Sequence, residues 1–351
     1  ILERARWAPS GDNCQPWAFQ FLDEFQIRIH VFHDPENVYE WGNGKPSWIS
    51  VGALIENIRL AAAPVGMVPE VSTIHDITDG KGYVDVLFLE KETHIDPLEA
   101  YIESRTVTRT PFRIKDLSGD ICADLTASVG PDFVVEWHRG FWGKWNMIRI
   151  NGLATQIRLM IREAFAVHKA VIDWDHQMSP DKIPAVALGF SRLNLFFTKW
   201  AMTSWARVDF MNRFCAGAIF PQIELDLLPG IFCARHFRLF RVTKIATETP
   251  ADLLATGGAM QRFWLTATRH GLSFQPSMAP LIFASYAKDG AAFSDNSSAL
   301  KKAKKLYRLM KENTAYSFDQ QVFQGRIGYT ASPCVGRSVR KPLSEMIVSG
   351  Q

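Results

Sequence analysis

Two helix-length stretches of this chain carry the same marks in the same register. Gly52-Ala53-Leu54-Ile55-Glu56-Asn57, running on to Gly66-Met67, aligns with Gly257-Gly258-Ala259-Met260-Gln261, running on to Gly271-Leu272. Gly52/Gly257, Leu60/Leu265, Ala62/Ala267 and Gly66/Gly271 are identical. Small residues on a helix let a second backbone come close, so both stretches read as central, buried helices. Each follows a strand-like run, Phe25 to Phe32 and Arg235 to Val242. A duplicated unit of this kind buries its apolar helix against its own twin, as two subunits of a homodimer do. The expected fold class is therefore α+β: two tandem repeats of antiparallel or mixed sheet with packed helices, forming an intramolecular pseudo-dimer. The repeats are placed at 1–100 and 101–351.

A length of 351 residues exceeds what one core usually serves. With 47% hydrophobic and 21% charged residues the chain reads as globular and soluble, and a net charge of +3 without dense Lys/Arg among aromatics argues against nucleic acid. Cys14, Cys122, Cys215, Cys233 and Cys334 are scattered, odd in number and without a CxxC pair. That excludes a disulfide framework and a zinc site and points to a reducing, cytoplasmic compartment. Leu188 to Val208, the most apolar region, is broken by Arg192, Lys199 and Arg207, so no membrane partner is expected. Because the sequence starts at Ile1 without a methionine, an upstream segment is expected.

Periodicity places strands at Ala18–Phe32, as a hairpin, and at Tyr83–Leu89, Phe133–Arg139, Arg235–Val242 and Gly325–Tyr329. Helices are expected at Asp96–Ser104, Asp116–Ser128, Lys144–Ala170 as one long element, Ala251–His270 and Lys301–Lys311. An aromatic-rich segment, about 172–229, departs in character and reads as an insertion: a lid, a dimer contact or an extra core layer. His30 and His33 form an H-x-x-H in a strand pattern and read as structural.

Two motifs remain. Ala8-Pro9-Ser10-Gly11-Asp12-Asn13-Cys14-Gln15-Pro16-Trp17 is a tight polar loop ending in an aromatic anchor, suited to a polar planar ligand and equally to an ordinary turn. Arg105-Thr106-Val107-Thr108-Arg109 places two cations around hydroxyls, either to converge on a phosphate or as a solvated linker. Together these residues resemble the nitroreductase superfamily of FMN-dependent oxidoreductases, whose opening loop reads A-P-S-[SG]-x-N-x-Q-P-W and whose R-x-S-x-[RK] segment is similar to Arg105–Arg109. Val107 stands where that family often has serine. Gly271-Leu272 and Arg340-x-Pro342-Leu343 are also similar. The chain resembles the fused, tandem-repeat branch, since the loop occurs once, in the first repeat, and its complements occur only in the second. Near the expected offset of a second loop stands only Ala216-Gly217-Ala218-Ile219-Phe220-Pro221-Gln222.

The resemblance implies a nitroreductase-like fold and one FMN per chain, with Arg105, Thr108, Arg109, Arg337 and Arg340 toward its phosphate and ribityl chain. It implies Ser10, Gly11, Asn13 and Gln15 at the ring edge, and Leu272, Ser273 and Phe274 near N5, with Gln275 a further contact. No protein group is expected to act as a dedicated acid or base, since flavin N5 carries the hydride. The reaction implied is ping-pong, from transiently bound NADPH or NADH to a small electron-poor acceptor such as a nitroaromatic or quinone. The alternatives are a non-catalytic flavin store closed by a lid, or another flavin reaction such as dehydrogenation or flavin breakdown. A monomer acting as pseudo-dimer is expected, with the insertion as a possible homodimer contact; no metal is implied.

Overall fold

The computed structural model describes residues 1–214, 219–312, 314–330 and 335–348. Cys215, Cys334 and residues 216–218 of the stretch considered as a second loop lie outside them. The chain opens with α1 (Leu2–Ala5), β1 (Trp17–Phe21), β2 (Gln26–Phe32), α2 (Trp41–Ala62), β3 (Met67–Thr78) and β4 (Lys81–Glu90). In β2, Ile27, Ile29 and Val31 are buried while the residues between them are not, which is the period-two signature of a half-buried strand. β3 and β4 meet at Asp79-Gly80, both with positive φ (52° and 77°), the backbone a two-residue hairpin turn requires. The four strands form one antiparallel sheet in the order β1-β2-β4-β3.

Beyond a linking segment come α3 (Gly119–Ser128) and β5 (Phe133–His138). A long excursion follows: α4 (Gly140–Leu159), α5 (Arg162–Val171), the short strands β6 (Ile172–Asp173), β7 (Met178–Ser179) and β8 (Ile183–Pro184), then α6 (Arg192–Ala201), α7 (Trp205–Phe214), α8 (Ile219–Gln222), a π-helical turn (Ile223–Leu227) and α9 (Leu228–Phe232). The chain returns through β9 (Arg235–Arg241), α10 (Pro250–Arg269) and β10 (Ser273–Pro276), makes a second excursion as α11 (Ala279–Asp289) and α12 (Ser297–Lys311), and closes with β11 (Gln321–Gly328) and β12 (Arg337–Ser338). The second sheet runs β5-β9-β11-β10, again antiparallel throughout. Without its two excursions it has the strand order of the first sheet.

The fold is α+β, and its two sheets share one core that includes Ile29, Val84, Phe237 and Phe323. At its centre α2 packs on α10 where Gly52 meets Gly257. A Cβ on Gly257 would stand 2.0 Å from the Ile49 carbonyl oxygen and 2.7 Å from the Gly52 Cα; one on Gly52 would stand 2.2 Å from the Leu254 carbonyl oxygen. Only glycine permits that approach. Contacts across the crossing are reciprocal in the register of the sequence repeat: Arg262 donates to Glu56 at 2.9 Å and Gln261 to Asn57 at 2.7 Å.

Besides the helix expected over Asp96–Ser104, which is only a 3-10 turn at Pro97–Tyr101, three elements differ from expectation. The long helix expected over Lys144–Ala170 breaks at Ile161, which is extended, because the freed carbonyls of Leu159 and Met160 accept from Asn212 and Asn296. β3 is absent from the sequence reading because register shifts beside Val71 and His75 spoil its alternation. The departure assigned to 172–229 is only part of the excursion, which begins at α4; α4, α5, α11 and α12 build a second core around Ile150, Leu153, Phe283 and Leu306, joined by Val38 and Trp41.

Replacing Gly257 by Ala is expected to lower the unfolding free energy by about 3 kcal/mol, since the new methyl faces rigid backbone. Gly152→Ala in α4, where a Cβ meets nothing within 4 Å, is expected to be neutral or stabilising by up to about 1 kcal/mol. Urea denaturation of the two variants measures the difference.

Candidate functional site

Between the main core and the helical core lies a cavity of about 410 Å³ walled by both halves of the chain. Its first wall is the loop after α1. Asp12, Asn13 and Gln15 all hold positive φ (48°, 65° and 50°), a conformation non-glycine residues adopt only when surroundings enforce it. Here they do. Asn13 Nδ2 donates to the Val339 carbonyl at 3.1 Å and its Oδ1 accepts from Arg340 at 2.7 Å. Gln15 Nε2 donates to the Pro180 carbonyl at 2.8 Å, and its Oε1 accepts from the Lys341 amide at 3.0 Å. The tail reaches this position because β12 pairs in parallel with β7.

Beside the loop converge Arg105, Arg337 and Arg340. Arg105 is 3% exposed, donates to the Trp7 carbonyl at 2.9 Å, and lies 4.5 Å from the centroid of Trp264, with its Nε unpartnered. Arg337 stacks on Trp7, donates to the Glu103 carbonyl and leaves its Nε unpartnered. Arg340 donates to the Ala8 carbonyl at 2.9 Å. No ion pair among the described residues engages any of the three. Burial, with Arg340 and Arg337 as neighbours, drives the Arg105 pKa well below the ordinary guanidinium range, and burial with Arg337 brings Arg340 down to about 10. Buried cations that repel one another make a site for an anion.

The opposite wall is acidic and aromatic. Burial raises the Glu40 carboxyl to about 7; on the loop itself burial also raises Asp12, although Arg109 and Arg158 pull it down. Tyr39 Oη pairs with His168 Nε2 at 2.9 Å, and burial lowers His168 to about 3, so its imidazole is neutral. Asn151, Thr155 and Arg158 face the cavity from one stripe of α4. Ile172, Ile183, Leu188 and Phe190, from the excursion, line it as well.

Of the residues singled out from sequence, Ser10, Gly11, Asn13, Arg105, Arg109, Arg337 and Arg340 line this cavity. Gln15, Thr108, Leu272, Ser273 and Phe274 stand behind it. Phe274 stacks on Trp264 at 4.3 Å within the core, Ser273 donates to Thr330, and Leu272 is buried. These three are scaffold: the Phe274 carbonyl accepts the Thr108 amide at 3.0 Å and so fixes the Arg105–Arg109 segment beside β10. The lining from this region is Gln275 to Pro280 instead. Sequence reasoning missed Tyr39, Glu40, His168, Asp226 and Arg326. It also missed Asn151, Thr155 and Arg158, whose i, i+4, i+7 spacing puts three polar side chains on one stripe of α4. No group of His, Cys, Asp and Glu among the described residues is arranged to hold a metal, and no described helix is long and apolar enough to cross a membrane.

No family model and no curated protein matches the sequence. The fold is similar to that of nitroreductase-like structures. A nitroreductase-like family protein from Bacillus cereus shares 15% identity over 72% of this chain and 95% of its own, with a TM-score of 0.36. An FMN-dependent nitroreductase from Mycobacterium smegmatis in complex with NADPH shares 14% over 72% and 97%, with a TM-score of 0.38. A BluB-like flavoprotein from Clostridium difficile shares 14% over 72% and 98%, with a TM-score of 0.34. Likenesses this slight decide nothing about the chemistry of the cavity.

The acidic wall has a measurable signature. A carboxyl whose folded pKa is raised binds more protons folded than unfolded, so it erodes stability as pH rises from its ordinary value of 4.5 to about 7. Glu40→Gln is expected to stabilise the protein by about 2 kcal/mol at pH 8 and to have little effect near pH 4, as read by denaturation at the two pH values.

Proposed function

We propose that this chain is an FMN-binding, NAD(P)H-dependent oxidoreductase of nitroreductase type, holding one FMN between two tandem repeats. One observation supports it above others: Arg105 and Arg340 are buried beside the strained Ser10–Gln15 loop, with the half-buried Arg337 next to them, and no ion pair among the described residues engages any of the three. A flavin phosphate would answer that charge, and the unpartnered Nε atoms of Arg105 and Arg337 are the donors it lacks. Ser10 and Gly11 would meet the ring edge, with Asn13 acting on it through the loop it clamps. Bound there, FMN would accept a hydride from NADPH or NADH and pass it to a nitroaromatic or quinone. The chain's own part is to neutralise the phosphate, fix the ring and admit donor and acceptor in turn.

One site per chain follows from an asymmetry between the halves. Eleven residues, Arg6–Pro16, separate α1 from β1, whereas only Val129–Asp132 separate α3 from β5. The second half has no room for a loop like the first. On this reading the protein acts as a monomeric pseudo-dimer; its described cysteines, Cys14, Cys122 and Cys233, are free, which fits a cytoplasmic setting. A flavin-storing role is the second reading, favoured by Ile172, Leu188 and Phe190, which line the cavity from the excursion.

Arg105→Gln is expected to weaken FMN binding about 10- to 100-fold, the worth of one buried charged hydrogen bond, as measured by flavin fluorescence titration. Anaerobic NADPH added to the yellow protein separates the two readings. Rapid bleaching supports the oxidoreductase; bound flavin that stays oxidised supports storage. A protein that takes up no FMN sinks both.

A further inference from the structure

The cavity described above is not isolated. A second cavity of about 400 Å³ opens between α4, the π-helical turn and α12, and Asp226 is the residue that borders both. Asp226 is 7% exposed and its Oδ2 has no hydrogen-bond partner. It sits in the π-turn Ile223–Leu227, an irregularity that breaks the regular helical ladder. The turn is tied at three points: the Leu225 carbonyl accepts from Arg326, Glu224 accepts from the Ser191 amide at 3.0 Å, and Gln222 donates to the Gly152 carbonyl at 2.7 Å. Arg158 from α4 and Arg326 from β11 act on Asp226 from the inner side; Arg149, Lys302 and Lys305 line the outer cavity. Burial outweighs Arg158 and Arg326 and raises the Asp226 pKa, favouring the proton-carrying form.

We propose that Asp226 is a proton conduit from the outer cavity to the inner one, protonating the acceptor as it is reduced. This rests on the oxidoreductase reading. An acceptor that takes two electrons as a hydride is left with an anionic oxygen or nitrogen. The Asp226 O–H bond breaks, an O–H or N–H bond forms on the acceptor, and water in the outer cavity reprotonates the carboxylate. The nicotinamide donor supplies both electrons, so hydride plus one proton balances the two-electron reduction. Asp12 and Glu40 are inner-cavity acids as well, but neither lines the outer cavity.

The experiment uses the FMN-loaded protein in rapid mixing, with NADPH as donor and benzoquinone as acceptor. Asp226→Asn is expected to bind FMN and to be reduced within about twofold of the unchanged protein. Its reoxidation is expected to be about 100-fold slower, the usual worth of a positioned acid. In the unchanged protein reoxidation slows as pH rises through the Asp226 pKa; in the Asn variant that dependence is lost, and Asp226→Glu restores it. Gly152→Leu, where a Cβ meets nothing within 4 Å, fills the outer cavity and is expected to slow reoxidation without touching the carboxyl. That variant decides the matter if Asp226→Asn does not fold. Reoxidation at the unchanged rate in the folded variants overturns the proposal. Infrared difference spectra of flavin-free protein give a readout independent of turnover: a protonated carboxyl band, lost in Asp226→Asn, that shifts in D2O promptly in the unchanged protein and slowly in Gly152→Leu. Absence of the band also overturns the proposal, whereas failure of NADPH to bleach the flavin overturns only the oxidoreductase reading.

Discussion

The contact between Gly52 and Gly257 governs the rest of the molecule. With no side chain at either position, α2 and α10 approach until a Cβ would lie 2.0–2.2 Å from the opposing carbonyl. The two sheets then flank one helical pair and share a single apolar core. The crossing also fixes where the halves meet at their edges. The loop after α1 belongs to one half and the arginines that hold it to the other. There Asn13 and Arg340 meet at 2.7 Å, the tail being carried to the loop by the pairing of β12 with β7.

The arginine cluster is the least comfortable part of the structure, and that is its meaning. Burying one cation without a counter-ion costs several kcal/mol, and stacking on Trp264 returns only about 2 kcal/mol. The carbonyls of Trp7 and Ala8 help as neutral acceptors. They leave the net positive charge in place. The cavity's acids, Asp12 on the loop and Glu40, are themselves raised by burial, which weakens their hold on the arginines as counter-ions. Arg109, Arg158 and Arg326 line the same cavity, so cations outnumber acids on its walls and an anionic ligand would answer the excess.

The repeat in the sequence was legible because glycine is irreplaceable at a crossing; Gly52 and Gly257 stand in equivalent places for a physical reason. The loop was legible for a similar reason, since Asn13 and Gln15 are needed to hold a strained backbone. Leu272–Phe274 do not line the cavity: the Phe274 carbonyl holds the arginine segment while the Phe274 ring stacks on Trp264 in the core. The acidic wall was hidden for another cause. Tyr39-Glu40, His168 and Asp226 come from three separated segments that only tertiary packing brings together, and none belongs to a local pattern. Asn151, Thr155 and Arg158 did form a pattern, on a helix whose break at Ile161 depends on distant asparagines.

The two halves share a strand order but not their connections. Where the first sheet has tight hairpins, the second has the α4–α9 excursion between β5 and β9 and α11–α12 between β10 and β11. The excursions leave the second sheet at opposite ends, the first beside the start of β9 and the second beside its end, and pack into a second core. A hairpin lengthened this way leaves the central crossing untouched, because loop-closure cost rises only slowly with length. It places new side chains over the edge where the first half's loop docks. That is why the roof of the cavity, the neutral His168 and the doubly bordered Asp226 all come from excursions. The crossing of α2 and α10 sets how the sheets flank the cavity, and the excursions supply much of its lining.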